Sequence, residues 1–154
     1  MRISLICVGR LGAAPEAALA QDRVERASAT GRALGLGPVE IVEVEARKPG
    51  KAAEAEAILA RAEGARLIAC DERGRAMASR DFAARLAALR DDGVRRLAFA
   101  IGGADGLDPG LVDRASQVLS FGPQTWPHAL ARAMLAEQLY RAATILAGTP
   151  YHRD

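Results

Sequence analysis

The sequence predicts an α/β fold in which a mostly parallel β-sheet is covered by helices on both faces. Short apolar runs typical of strands alternate with longer helix-like stretches along the 154 residues. Glycine and proline punctuate the boundaries, and no linker is long enough to divide the chain. Because strands that alternate with helical crossovers form parallel sheets, we expect a single domain over residues 1–154.

The first half of the chain contains three predicted strands and two predicted helices. In order, these elements cover residues 2–8, 15–34, 39–44, 52–63 and 66–70. The first strand is a continuous apolar run, whereas the second alternates apolar and acidic residues, as in a strand with one wetter face. Pro15 suits the first turn of a helix. Residues 71–78 are predicted to form a loop.

The second half of the chain begins and ends with a predicted helix. In order, its elements cover residues 79–90, 94–101, a short helix from 109, 117–119 and 127–147. Ser79 is predicted to cap the first of these helices. Asp108 and Pro109 form a strong helix start, with Asp108 as the cap. Pro127 opens the final helix.

Two loops after predicted strands carry the residues best suited to a ligand, because ligands bind at the carboxyl ends of strands in such sheets. Gly102, Gly103 and Gly106 allow close approach to the backbone, although they match neither a dinucleotide-binding nor a P-loop motif. Residues 121–126 form an irregular loop whose backbone could read the edges of a flat heterocycle. A plain turn in the first loop and a core or helix-capping role for Trp126 are also consistent with the sequence.

Composition restricts the class of protein. The net charge of +2 is weak support for a nucleic-acid partner, and codon bias explains the excess of 19 arginines over two lysines as well as phosphate binding does. Cys7 and Cys70 lie in apolar runs and are predicted to be buried thiols, with no metal site. No apolar run reaches ~20 residues and no signal peptide is present, so we expect a cytoplasmic protein without a membrane partner.

The final helix has an apolar face that covers about half of its circumference, wider than the ~100° stripe needed by one core. One edge of this face carries Leu130, Met134 and Ile145, and the other carries Leu135, Leu139, Ala142 and Leu146. The width favours burial against both the sheet and a second subunit. Alanines that merely broaden the stripe are the alternative explanation.

Three segments together resemble a known family. They are residues 101–107, with the glycine loop; residues 119–128, ending in Thr125-Trp126-Pro127-His128; and residues 135–142, joined by Pro150-Tyr151-His152-Arg153 at the end of the chain. Their order and spacing are similar to those of the ribosomal RNA large-subunit methyltransferase H family. The resemblance extends over nearly the whole chain.

The resemblance implies a fold and an activity. The fold is of the SPOUT type, with a C-terminal trefoil knot, and the protein acts as a homodimer. The implied reaction is S-adenosylmethionine-dependent methylation of N3 of a pseudouridine in helix 69 of 23S ribosomal RNA. With so small a chain and so little net charge, we expect the partner to be the assembled ribosome rather than naked RNA or DNA.

The resemblance also implies site residues, and three sets follow. The expected cofactor-binding residues are Cys70, Gly102, Phe121, Gly122, Pro123, Gln124, Thr125 and Trp126. The expected catalytic residues are Glu137, Arg141, Tyr151 and His152. The expected RNA-binding residues are His128, Arg132 and Arg153. Glu137 is expected to orient Arg141 as an i,i+4 pair, and a plain surface salt bridge is the alternative.

Three other functions remain open at this point. The chain could methylate another ribosomal RNA or transfer RNA position with the same fold and cofactor. It could be a non-catalytic RNA-binding relative that has lost turnover. A flavodoxin-like or Rossmann-like nucleotide binder would use an acidic residue such as Glu43 or Glu45 for a ribose, although the glycine fingerprint is missing.

Overall fold

A computed structural model describes residues 1–154 as a five-stranded sheet flanked by five α-helices. The strands are β1 (Arg2–Val8), β2 (Val39–Val44), β3 (Arg66–Ala76), β4 (Arg96–Ile101) and β5 (Gln117–Ser120). The helices are α1 (Pro15–Gly31), α2 (Lys51–Ala62), α3 (Ser79–Asp91), α4 (Pro109–Arg114) and α5 (His128–Ala147). The predicted order of strands and helices is therefore confirmed.

All neighbouring strands of the sheet are parallel, in the order β2-β1-β4-β3-β5. This order places the carboxyl end of β3 between those of β4 and β5. It differs from the strand orders of the Rossmann and flavodoxin-like folds, which are 3-2-1-4-5-6 and 2-1-3-4-5. The alternative that the chain is a Rossmann-like or flavodoxin-like nucleotide binder is therefore wrong.

Helices cover both faces of the sheet, as predicted. Alternate residues of β1 point to opposite faces: Leu5 joins a core of 21 buried residues beneath α1, α3 and α5, and Ile6 joins a core of 12 beneath α2 and α4. Phe99 and Ile58 are fully buried in the two cores. Burial on both faces explains why the inner strands β1 and β4 are continuous apolar runs, whereas the edge strand β2 alternates apolar and acidic residues.

Two boundaries differ from the prediction. Helix α1 ends at Gly31 and continues as a 3₁₀ turn to Leu34, which Gly35 terminates in the left-handed conformation with its N–H bonded to the Arg32 carbonyl. Strand β3 extends past Cys70 to Ala76, although residues 71–78 were expected to be a loop. Both Cys70 and Arg75 pair with Leu119 of β5, so residues 71–74 bulge out of the strand before it resumes.

The predicted cap at Ser79 is also wrong, whereas the cap at Asp108 is confirmed. Ala78 occupies the cap position of α3, and the Ser79 hydroxyl instead donates to Gln138 Oε1 at 2.8 Å, which ties α3 to α5. The Asp108 carboxylate accepts from the Gly110 N–H at 2.9 Å. Side-chain contacts between helices are not visible in a sequence pattern. Here the Ser79 hydroxyl bonds to another helix instead of capping its own.

Helix α5 lies between α1 and α3, which together cover much of its wide apolar face. Leu135, Leu139 and Ala142 are buried in this way, whereas Leu130 near the start of the helix remains 38% exposed. The width of the face is thus largely explained within one chain, and the homodimer stays a prediction. No helix of the structure is both long and apolar enough to cross a membrane.

Candidate active site

A cavity of about 330 Å³ opens at the carboxyl ends of β3, β4 and β5. We call it the loop cavity, because the loops over residues 102–107 and 121–126 form most of its wall. Seven of the eight predicted cofactor-binding residues line it: Cys70, Gly102, Phe121, Gly122, Gln124, Thr125 and Trp126. Pro123 lies in the same loop but does not line the cavity. The volume of the loop cavity is within the range of small-molecule sites.

The glycine loop presents bare backbone to the loop cavity. Gly106 N–H donates to the Gly103 carbonyl at 3.0 Å, which closes a tight turn directly after β4. This turn passes so close to Gly102 that a Cβ there would lie 2.6 Å from the Gly106 carbonyl carbon and 2.9 Å from the Leu107 nitrogen. Only glycine fits at position 102.

The second loop is fixed by side chains on both sides. Ser120 Oγ accepts from the Gly122 N–H at 3.0 Å, and Thr125 Oγ1 donates to Glu72 Oε2 at 2.8 Å, which joins the loop to the β3 bulge. The Trp126 indole N–H donates to the Phe121 carbonyl at 3.3 Å. Because Trp126 is 39% exposed and folds over its own loop, it is not a core residue.

The four predicted catalytic residues come together where the C-terminal tail folds back on the middle of α5. The Glu137 carboxylate accepts from Arg23 Nε and Arg141 Nη2, each at 2.7 Å, and from the Tyr151 hydroxyl at 3.0 Å. The predicted Glu137–Arg141 pair is therefore present. We call Arg23, Glu137, Arg141, Tyr151 and His152 the C-terminal cluster.

The aromatic groups of the C-terminal cluster are held by charges and by stacking. The Arg141 guanidinium lies 4.8 Å from the centre of the Tyr151 ring, which also packs against Tyr140 at 4.6 Å. Burial, together with the Glu137 carboxylate, raises the pKa of Tyr151. The phenol therefore stays protonated at neutral pH and acts as a hydrogen-bond donor.

His152 is bonded through both ring nitrogens. Nδ1 lies 3.3 Å from Arg141 Nη1, and Nε2 lies 3.1 Å from Asp154 Oδ1. Because a guanidinium can only donate and a carboxylate can only accept, Nδ1 carries the lone pair and Nε2 the proton. Asp154 is in turn held by Arg80 of α3, which lowers the pKa of Asp154 to about 2. Arg153 is exposed and forms no ion pair.

The loop cavity and the C-terminal cluster do not meet within one chain. His128, the first residue of α5, lines the cavity, whereas Glu137 follows nine residues later. Nine helical residues correspond to about 14 Å along the axis and half a turn around it. The two sets of predicted residues therefore lie on opposite sides of the helix.

A family model described as a predicted SPOUT methyltransferase matches residues 1–152. A protein from Phenylobacterium zucineum strain HLK1 is 68% identical, and one from Caulobacter vibrioides is 65% identical; each match covers the whole of this chain and at least 99% of the relative. Both are named ribosomal RNA large subunit methyltransferase H. The chain belongs to this family of SPOUT methyltransferases.

The fold of the chain also resembles that of a solved structure. A probable methylase family protein from Haemophilus influenzae Rd KW20 superposes with a TM-score of 0.53. The alignment covers 99% of this chain and 70% of the other, at 15% sequence identity. At this identity the likeness concerns the fold alone.

In this SPOUT family member, the prediction that Arg132 binds RNA is wrong. Its side chain is 2% exposed, donates from Nη1 to Glu43 Oε1 at 2.7 Å and from Nη2 to the Gly9 carbonyl at 3.2 Å. A buried and paired guanidinium cannot reach a phosphate. Arg132 instead fixes α5 to the ends of β1 and β2, one turn after His128 at the cavity.

Five charged residues of the loop cavity were not among the predicted site residues: Lys51, Asp71, Glu72, Arg73 and Asp105. Asp71 accepts from Arg73 Nε at 3.0 Å and Nη2 at 3.1 Å, and this pairing lowers the pKa of Asp71. The carboxylate therefore stays ionised beside the cavity. The available signal was a charged run immediately after a buried strand, at the edge of the sheet where ligands bind.

Both thiols of this SPOUT domain are free; Cys7 is buried, as predicted, whereas Cys70 is only half-buried. Burial raises the pKa of Cys7 to about 12 and also raises the pKa of Cys70 well above its usual range. Both side chains are therefore uncharged at neutral pH. Cys70 supplies an apolar wall to the loop cavity rather than a nucleophile or a metal ligand, and no three His, Cys, Asp or Glu side chains are grouped to bind a metal ion.

We predict that Gly102→Ala weakens ligand binding in the loop cavity at least about tenfold, because the new Cβ forces the Gly106–Leu107 backbone to move. Gly103→Ala is the matched control. Its Cβ would meet only the mobile end of Glu54 and a Val8 methyl, both at 3.3 Å. Calorimetric titration with S-adenosylmethionine measures the difference. Equal affinities for the two variants would show that the glycine loop does not shape the site.

Proposed function

We propose that the protein methylates N3 of a pseudouridine in helix 69 of 23S ribosomal RNA, using S-adenosylmethionine on assembled ribosomes in the cytoplasm. One observation carries the proposal. Segments far apart in the sequence, which the family resemblance assigns to the cofactor, line one cavity at the expected edge of the sheet. The relatives named for ribosomal RNA methylation match the full chain, which supports the substrate class.

The residues of the loop cavity fit S-adenosylmethionine. The missing Cβ at Gly102 lets the Gly106–Leu107 backbone pass close by, and the resulting tight turn forms one wall of the cavity. Exposed peptide groups of residues 121–126 can hydrogen-bond the edge of an adenine, and the uncharged Cys70 can pack against it. Glu72, which forms no ion pair, supplies negative charge for a cationic ligand, whereas the charge of Asp71 is balanced by Arg73. The cofactor, when bound, supplies a methyl group on a sulfonium centre.

The target nitrogen must lose its proton before it can accept the methyl group, because the protonated imide has no useful lone pair. A new N–C bond then forms as the S–C bond breaks, and the proton leaves to a base or to solvent. Tyr151 and His152 are suited to contact the base, and Arg141 is suited to stabilise the anion. Arg153 and His128 are suited to hold nearby phosphate. If Arg141 turns toward the RNA, the Nδ1 lone pair of His152 is freed to accept the proton.

We further propose that each active site combines the loop cavity of one subunit with the C-terminal cluster of the other. Within one chain these sites lie on opposite sides of α5, so a second copy is needed to bring them together. Leu130 is exposed beside a groove that includes Met77, Phe121 and Met134, and this apolar strip is suited to the contact between subunits. The trefoil knot implied by the family is part of the same proposal.

Mixed dimers test the shared site. Gly102→Ala impairs only the loop cavity, and His152→Ala impairs only the C-terminal cluster. The assay uses a cofactor concentration well below the Kd of Gly102→Ala, so that both variants alone are strongly impaired. After equal amounts are mixed and the subunits exchanged, about a quarter of the wild-type activity should return, since half of the dimers carry one intact site of two. If mixing restores nothing while exchange is demonstrated, each site belongs to a single chain.

His152→Ala is predicted to lower kcat on ribosomes by about 10²-fold without changing the affinity for S-adenosylmethionine. The imidazole is placed to receive a proton, and it lies outside the loop cavity of its own chain. Single-turnover methyl transfer and a binding titration separate the two effects. Near-normal turnover of the variant would remove His152 from the mechanism.

The choice of substrate is tested by comparing whole ribosomes with naked helix 69 RNA. A chain of 154 residues and net charge +2 has little electrostatic affinity for free RNA. We expect efficient transfer of labelled methyl groups to ribosomes lacking the modification, and poor transfer to the isolated hairpin. Equal rates on both would show that the assembled ribosome is not required.

A further inference from the structure

Arginines gather at the edge of the sheet opposite the loop cavity. Arg66, Arg95, Arg96 and Arg114 line a shallow depression there, and Arg2 lies beside it because Arg2 of β1 pairs in register with Arg96 of β4. Arg66 of β3 pairs with Leu97, the residue after Arg96. Neighbouring strands are about 4.8 Å apart, so the strand starts bring these charges together. We call these five residues the amino-edge patch.

The charges of the amino-edge patch are not neutralised within the chain. All five arginines are exposed, and none of them forms an ion pair. Only Arg96 has a side-chain hydrogen bond, from Nη1 to the Glu63 carbonyl at 2.8 Å. Asp92 is the one carboxylate that lines the depression. The guanidinium groups therefore repel one another unless an external anion binds between them.

The amino-edge patch is separate from the proposed active site. Both the loop cavity and the patch lie on β4, but at its opposite ends. The residues from Arg96 to Ile101 span about 16 Å at the rise of a parallel strand. A substrate would therefore have to extend around the sheet, or approach through the other subunit, to contact both regions.

The composition of the patch favours a phosphate backbone over a protein partner. Stable protein interfaces are anchored by buried aromatic and aliphatic side chains. The large hydrophobic residues that are exposed in this chain, Leu19, Leu130, Trp126 and Tyr151, all lie outside the depression. RNA phosphates require only positive charge and hydrogen-bond donors, and the planar guanidinium group offers both in a bidentate geometry.

We propose that the amino-edge patch is a second RNA-binding surface, which holds phosphates of ribosomal RNA remote from the methylated base. This inference rests on the proposed RNA substrate. It gives the small chain an affinity that its net charge does not provide, because four or five positive charges act at one location. Its contribution is to affinity and not to the methyl-transfer step.

The test compares two triple variants with equal loss of charge. The patch variant carries Arg66→Gln, Arg95→Gln and Arg114→Gln. The control variant carries Arg26→Gln, Arg85→Gln and Arg90→Gln, three arginines that are already bonded within the chain to Asp22, Gln117 and Leu34. Binding to purified ribosomes that lack the modification is measured without cofactor at several salt concentrations. Circular dichroism and thermal melting show whether each variant is folded.

The patch variant should bind ribosomes about tenfold more weakly than the control, and its plot of log K against log salt should be flatter by about 2. The same salt slope in both variants would overturn the inference. This is the result expected if the amino-edge patch binds an acidic protein instead of ribosomal RNA. If the wild-type protein binds ribosomes with a patch-dependent slope but transfers no methyl group, the proposed function fails and the inference stands. If it methylates ribosomes with a patch-independent slope, the inference fails and the proposed function stands.

Discussion

Replacing Glu137 with alanine is expected to lower kcat on ribosomes by about 10³-fold and to leave the affinity for S-adenosylmethionine unchanged. Glu137 alone accepts hydrogen bonds from Arg23, Arg141 and Tyr151. Without this carboxylate, Arg141 loses its only acidic partner, Arg23 keeps only Asp22, and the Tyr151 hydroxyl loses its hydrogen bond to α5. The loop cavity of the same chain lies on the opposite side of α5, about 14 Å away along the helix axis, and is not affected.

Two controls separate positioning from folding. Glu137→Gln keeps the shape and one acceptor oxygen, so it should recover part of kcat with an unchanged KM. Glu25→Ala removes an exposed glutamate of α1 that is bonded only to Gln21, and it should have wild-type activity. If Glu137→Ala lost activity only in proportion to a lower melting temperature, or if it kept wild-type kcat, Glu137 would have no positioning role.

The largest effect on stability is expected for Glu43→Gln, about 3 kcal/mol in the free energy of unfolding. The Glu43 side chain is 34% exposed, whereas its partner Arg132 is 2% exposed. Loss of the carboxylate charge therefore leaves a buried guanidinium without compensation. Arg132 Nε already has no hydrogen-bond partner, so the site has no spare acceptor to take over.

The reverse substitution should cost less. Arg132→Met leaves Glu43 able to turn into water and fills the core with a chain of similar length, so we expect a loss of about 1–2 kcal/mol. The double variant should be no less stable than Arg132→Met alone, because the two losses share one interaction. Glu40→Gln, at an exposed site of the same strand, is the control. Denaturant unfolding at one protein concentration measures all four; equal losses for Glu43→Gln and Arg132→Met would contradict the burial argument.

The sequence predicted the fold well where a pattern is local. Period and punctuation located all five strands, and the strand ends indicated where a ligand site should lie. The β3 bulge was missed because it depends on pairing with β5, a strand more than 40 residues further along the chain. Likewise, Ser79 has the composition of a cap but bonds to Gln138, a contact that only packing of two distant helices creates.

The site could be predicted only in part for the same reason. Glycines and a proline-rich loop mark positions that need bare or fixed backbone, and both loops line one cavity. Arg132 was misassigned because its partner, Glu43, lies 89 residues away, and nothing in the sequence pattern links the two. Glu137 and Arg141 are four residues apart, so their pairing was predictable from helical spacing. The addition of Arg23 to that pair was not.

The measurement that tests the central claim most directly is mass-spectrometric mapping of 23S ribosomal RNA. Ribosomes from a strain without this gene are compared before and after incubation with the purified protein and S-adenosylmethionine. We predict that one methyl group is absent from helix 69 in that strain and returns on N3 of a pseudouridine. If the added methyl group lies elsewhere, or if none is added to any ribosomal RNA, the proposed reaction is wrong.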